Sequence, residues 1–164
     1  MNLRYGERMR TRAVLIIAGL AAAVAAAPAH GAIVPNRSIA GVALGMSQAK
    51  VRALLGPPRR VIRRHSEITG TDTEFRYARL SVVFAGGANA SFVQTTRTRE
   101  RTRRGVGVGS TEADVTGNVG NVTCATEFAR RSCHTRDFLP GVALTRFDIR
   151  NGVVWRVSVG IVID

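Results

Sequence analysis

The groups that could do covalent, acid–base or metal chemistry are few and widely spaced. Cys124 and Cys133 could ligate a metal or pair with each other. A structural zinc site needs four ligands. His134 stands next to Cys133, but no fourth candidate follows at ligand spacing. A disulfide between Cys124 and Cys133 is therefore expected, and no metal. His65 and His134 lie near arginines and belong to no nucleophile motif, and no Gly-x-Ser-x-Gly elbow occurs. Glu67, Asp72 and Glu74 cluster near a turn, where an acid/base pair could form but where carboxylates in a basic chain also simply balance charge. Gly105-x-Gly-x-Gly109-Ser-Thr111 superficially suggests a phosphate-cradling loop. Such a loop requires a lysine before its Ser/Thr, and none is present. The expectation is a protein with no catalytic residue and no cofactor, hence not an enzyme.

Binding chemistry is better represented. The chain has 24 basic residues against 11 acidic ones, a formal net charge of +13. Four of the basic residues and one acidic residue fall in the first thirty positions, which leaves +10 for the remainder. A balance of this kind attracts polyanions. Candidate polyanion contacts are Arg59, Arg60, Arg63 and Arg64, and the run Arg97, Arg99, Arg101, Arg103 and Arg104. Among the aromatics, Tyr77 and Trp155 are candidate contacts for a protein partner, because each joins a large apolar surface to a polar edge.

The elements that must position these groups follow from a recurrence. Gly41-Val-Ala-Leu-Gly45-Met-Ser47-Gln-Ala49-Lys-Val51 returns as Gly105-Val-Gly-Val-Gly109-Ser-Thr111-Glu-Ala113-Asp-Val115, at a constant offset of 64. Two tandem repeats are expected. In each, Ser47 or Thr111 caps a short helix, and Asp114 completes an approximate capping box in the second. In the first helix Val51, Leu54 and Leu55 share a face, and Gly56-Pro57-Pro58 ends it. Four strands follow in each half. In the first half they are read at 59–65, around Thr73, Phe75 and Tyr77, around Leu80, Val82 and Phe84, and at 91–95. In the second they are read at Cys124–Phe128, at Cys133–Phe138 after a turn at Arg130-Arg131, at Val142–Ile149, and beyond Asn151-Gly152, the strongest hairpin signal in the chain. The last strand alternates Val153, Trp155, Val157, Val159 and Ile161 against Val154, Arg156, Ser158 and Gly160. The fold class expected is α+β, each repeat a short helix packed on an antiparallel four-stranded sheet.

The N-terminus reads as an export signal: Arg4, Arg8, Arg10 and Arg12, then an apolar run over 13–27 and the small-residue pattern Ala27-Pro28-Ala29. The boundaries expected are a signal peptide at 1–29, with a cut as late as 32, a first repeat at 38–96, a basic linker at 97–104 and a second repeat at 105–164. No later segment is apolar enough to cross a membrane. The destination expected is secreted or otherwise extracytoplasmic, at the cell envelope of a bacterium.

The Gly-x-x-x-Gly-x-Ser/Thr motif of Gly41–Ser47, the helix ending Leu55-Gly56-Pro57, and the return at Gly105–Val115 resemble the beta-lactamase inhibitory protein fold. They also resemble the small outer-membrane assembly lipoproteins of the SmpA/OmlA type, which carry a single related unit. The resemblance spans residues 38–164. It implies a non-enzymatic module that presents a sheet to a protein partner, among whose roles is inhibition of a secreted or envelope enzyme. No lipid-acceptor cysteine follows the apolar run, which argues against the lipoprotein role, and only the second half has a cysteine pair. The alternative function is an Arg-rich extracellular polyanion-binding protein, acting on wall polymer, nucleic acid or anionic lipid.

Overall fold

The computed structural model describes residues 32–163, so the leader expected at 1–29 lies outside the described residues. Three two-residue strands come first: β1 (Ile33–Val34), β2 (Ser38–Ile39) and β3 (Val42–Ala43), paired antiparallel in that order. Helix α1 (Gln48–Leu55) follows, then β4 (Arg60–Ser66), β5 (Gly70–Tyr77), β6 (Leu80–Phe84), a 3₁₀ turn at Ala85–Gly87 and β7 (Phe92–Thr95). The second half gives α2 (Glu112–Asn118), β8 (Thr123–Glu127), β9 (Arg130–His134), β10 (Ala143–Arg150) and β11 (Val153–Ile161). The fold is α+β, mostly strand. Strands β4 to β11 form a single eight-stranded antiparallel sheet, ordered β4-β5-β6-β7-β11-β10-β9-β8. The two runs of four strands therefore meet edge to edge, with Phe92–Thr95 of β7 against Val157–Gly160 of β11.

Both helices pack on one face of this sheet. Phe75, Phe84, Val82, Val93, Phe147, Val157 and Val159 are fully buried there, together with Val51 of α1 and Val115 of α2. Each helix has only two turns, too short to persist in water without this support. So short a helix also puts few residues on its sheet-facing side. Val51 is buried, but Leu54, expected beside it, is 50% exposed and lies instead across Gly41, where a Cβ would stand 3.2 Å from Leu54 Cδ2.

The caps form as read. Ser47 Oγ accepts from Lys50 N at 3.4 Å. The Thr111 hydroxyl accepts from Asp114 N, and the Asp114 carboxylate accepts from Thr111 N, closing a full capping box. That backbone donor holds the Asp114 carboxyl below its usual range. Hydrogen bonding to Arg131 does the same for Glu112, in the same first turn. A carboxyl lowered on folding contributes stability above its unfolded-state pKa, near 4, and loses it as pH falls through the lower folded value. The thermal midpoint should therefore drop more steeply below about pH 4 in the wild type than in a Glu112→Gln/Asp114→Asn variant. Superimposable pH profiles would remove both groups from the account.

Two strand readings shift. The β8–β9 turn is formed by Phe128 and Ala129, at φ 47° and 60°, and Arg130–Arg131 opens β9. Neither Phe nor Ala favours positive φ, so the pair carried no turn signature. In β11 the expected alternation fails at one residue. Asp148 pairs with Arg156 but Ile149 pairs with Val154, so Trp155 is a bulge. Val154 is buried in consequence, while Val153 and Ile161 are more than a third exposed.

Cys124 and Cys133 are directly paired across β8 and β9 and form a disulfide. It closes a loop of sequence separation 9, which by the chain-entropy relation contributes about 2–3 kcal/mol. Urea unfolding of a Cys124→Ser/Cys133→Ser variant should show a loss of that size. An unchanged midpoint would mean that the hairpin register is held by its neighbours alone.

The stretch read as a linker, 97–104, is built into the fold. Glu100 is 1% exposed. It accepts from Arg97 at 3.4 Å, Arg99 at 3.1 Å and the Thr95 hydroxyl at 3.2 Å. The strap then turns back on itself, with Arg101 bridged to Gly107 and Thr102 N bonded to Val106 O. Ile33 N donates to Arg101 O, which ties the strap to β1.

Candidate functional site

Side chains alternate across a strand. Since Phe75, Val82, Val93, Val157 and Phe147 face the helices, their neighbours Glu74, Ser81, Phe92, Ser158 and Asp148 face the other way. No helix among the described residues covers that second face. At its centre Phe92 lies over Gly160, its cross-strand partner, where a Cβ would come within 2.6 Å of the ring. Phe92, Phe138 and Leu144 line an open hollow of about 250 Å³ beside Gly160. Next to it Asp148 is 5% exposed between two arginines. Arg156 Nε donates to it at 2.6 Å. Arg146 Nε stands 2.9 Å from the other oxygen but makes no hydrogen bond, so this contact is an ion pair without alignment.

The bulge sets the next feature. It places Trp155 beside Arg156, with the guanidinium carbons of Arg150 and Arg156 at 4.6 and 4.5 Å from the indole ring centre. Trp155, Asp148, Arg156, Arg150 and Arg130 line a cavity of about 540 Å³ that reaches the β8–β9 hairpin.

Tyr77 and Trp155, both expected as partner contacts, part company. Tyr77 is half-buried, and its hydroxyl donates to Gly56 O at 3.2 Å, pinning the end of α1 to the sheet. Burial raises its pKa, and nearby Arg52 works in the opposite direction. Trp155 lines the basic cavity.

The arginines also divide. Arg59, Arg60, Arg63 and Arg64 are exposed on or beside edge strand β4. The pairing puts Arg60 and Arg64 on the helix-free face and Arg63 on the other, so they form no single strip. In the strap, Arg97 and Arg99 are engaged with Glu100, and Arg97 also donates to Ala78 O at 2.7 Å. Arg101 donates to Thr98 O and Ser110 Oγ. Arg103 and Arg104 are exposed and line a separate hollow with Arg136.

The histidines and the carboxylates of β5 lie in separate places. His65 and His134 lie on β4 and β9, roughly 30 Å apart at about 4.8 Å per strand spacing. His134 is buried, with Nδ1 on Arg136 O at 2.8 Å and its ring against Phe138. Asp72 accepts from Thr69 and from Gly86 N, and Glu74 pairs with Arg76 and Arg64. Glu112, Cys124 and Cys133 lie close together, but both sulfurs are spent in the disulfide. In the glycine-rich loop, Gly107 N donates to Ser110 Oγ and Ser110 N donates to Gly107 O, so the loop is closed on itself.

No family model and no curated protein matches the chain. Among solved structures, an extracellular protein containing an SCP domain from Bacillus anthracis str. Ames is similar over 72% of this chain and 44% of its own, with 9% identity and a TM-score of 0.49. A cysteine-rich secretory protein from Staphylococcus aureus subsp. aureus Mu50 is similar over the same shares, with 9% identity and a TM-score of 0.44. This chain thus spans less than half the length of either.

Four features have no local signal in the sequence. The cluster of Arg130, Arg150 and Arg156 around Trp155 depends on the bulge, which leaves no mark in a clean alternation. Asp148 looked like one more strand residue. Phe128, 98% exposed at the hairpin tip, ends a stretch whose pattern predicts strand. Ile68, 70% exposed, sits at the tip of the β4–β5 hairpin.

Proposed function

We propose that this protein is an exported, non-enzymatic binding module, and that the helix-free face of its sheet is the contact surface for a protein partner. The observation that carries this reading is the composition of that face. An apolar patch of Phe92, Phe138 and Leu144 is bordered by the ion pairs of Asp148 with Arg146 and Arg156. An apolar centre with a polar rim is how protein interfaces are organised. Export is supported by the leader-like N-terminus and by the disulfide. No helix among the described residues is long and apolar enough to cross a membrane.

A tandem duplication of the beta-lactamase inhibitory protein type goes with this reading. Its support is the 64-residue recurrence, the two capped helices, and a strand order in which β4 to β7 and β8 to β11 mirror each other. Inhibition of a secreted or envelope enzyme is one role such a face could serve. A second reading, polyanion binding, is favoured by the exposed arginines of β4.

The test is capture from secreted and envelope fractions on the immobilised, oxidised protein. Washes at about 0.05 M and 0.5 M salt straddle weak and strong screening. A discrete protein should survive the high-salt wash on the wild type and be lost on Phe138→Glu, which alters an exposed residue of the patch. If all bound material leaves with salt, and an Arg63→Gln/Arg64→Gln variant captures less of it, the arginine reading replaces this one.

A further inference from the structure

We propose that the cavity between the β8–β9 hairpin and the β10–β11 turn is an anion site that takes a phosphomonoester. This does not depend on the sheet face being a protein contact. The charge balance comes first. Of the arginines lining the cavity, Arg131 is cancelled by Glu112. Asp148 is shared between Arg156 on the cavity wall and Arg146 outside it. Arg130 and Arg150 pair with no carboxylate among the described residues. The walls thus keep more than one uncompensated guanidinium around a single space, which suits a dianion better than a carboxylate. A phosphomonoester carries about −1.5 to −2 at neutral pH and offers three acceptor oxygens.

Preorganisation comes second. Stacked on Trp155, Arg150 and Arg156 have given up part of their rotamer freedom, so less is lost when their N–H forks close on a phosphate. The bulge that creates this arrangement breaks the alternation of β11, and bulges commonly re-aim a side chain at a site. Room comes third. At about 540 Å³ the cavity exceeds a bare ion and has space for the organic body of an ester.

Trp155 is the only tryptophan in the chain, so its fluorescence reports on this cavity alone. The protein would be titrated with inorganic phosphate, glucose 6-phosphate and malonate at matched ionic strength, and with a thymidine octamer with and without a 5′-phosphate. Saturable quenching by glucose 6-phosphate, and little by malonate, is the expected result. Arg150→Gln and Arg130→Gln should each weaken it about tenfold or more, the usual effect of losing one charged hydrogen-bonding partner. Arg63→Gln, on the far edge strand, should leave it unchanged. Binding of the octamer only when 5′-phosphorylated would extend the site to the end of a polymer, whereas binding of glucose 6-phosphate alone confines it to small esters. Should Arg150→Gln fail to fold, Arg130→Gln on the exposed hairpin carries the test. The proposal is overturned if fluorescence follows ionic strength alone, if the unphosphorylated octamer binds as well as glucose 6-phosphate, or if Arg63→Gln weakens binding as much as Arg130→Gln.

Discussion

Replacing Glu100 with alanine is expected to cost about 3–5 kcal/mol of folding stability, the range for removing one partner of a buried ion pair. Glu100 is 1% exposed, and Arg97, whose side chain is 17% exposed, faces its carboxylate. Without that carboxylate the Arg97 guanidinium is left largely out of water, keeping only its bond to Ala78 O, and the Thr95 hydroxyl loses an acceptor. Arg99 is 77% exposed and contributes little, because solvent screens it. Glu100→Gln keeps the shape and some of the hydrogen bonding, so it should lose less, ~1–3 kcal/mol. Urea unfolding monitored by circular dichroism decides this. For a chain of this size the alanine variant should melt roughly 10–20 °C lower. A drop of only a degree or two would show that the strap is held by its backbone bonds and not by the carboxylate.

The second large effect is expected at Gly107. At the sequence offset of 64 the counterpart of Gly107 is Ala43. Here the strap has come back alongside, and a Cβ on residue 107 would collide with the Glu100 carbonyl oxygen and stand 2.9 Å from Arg101 Cδ. A backbone oxygen cannot swing away as a side chain can. Gly107→Ala is therefore expected to cost about 3 kcal/mol, the upper part of the usual range for overpacking. Gly105→Ala meets open space and suffers only from its φ of +82°, about 1–2 kcal/mol. Comparing the two in the same unfolding assay separates crowding from backbone conformation. Equal losses would mean that the strap relaxes freely and the contact is not tight.

The sequence was most legible where a local rule acts alone. The capping box at Thr111 and Asp114, the Asn151-Gly152 turn and the Val157/Val159 core positions stand where capping, turn chemistry and alternation put them. It was least legible where long-range packing overrides a local rule. The turn at Phe128-Ala129 defies residue preference, and a disulfide at the fourth residue pair from that turn holds the hairpin. The bulge at Trp155 interrupts an otherwise regular pattern, so Val154 takes the buried position and Val153 the exposed one. Arg97, Arg99 and Arg101 looked like free charge, because nothing local shows that the single glutamate among them is buried. The Arg130, Arg150 and Arg156 cluster comes from three strands, and only the pairing of β9, β10 and β11 brings it together.

The edge-to-edge meeting of β7 and β11 also gives folding an order. β11 is separated from β7 in sequence by α2 and β8 to β10, so β7 has no second neighbour until the second run of strands has docked. During that interval Phe92–Thr95 is an open edge with unpaired backbone groups, the kind of surface on which another chain can add a strand. The joint spans only four residue pairs, and the strap between the halves is a single connection. A second copy can therefore supply its own β11 to the waiting β7, giving an exchanged dimer built from the contacts of the monomer. Slow refolding at high protein concentration would favour that species. The disulfide would not prevent it, because Cys124 and Cys133 both lie within the half that would be exchanged.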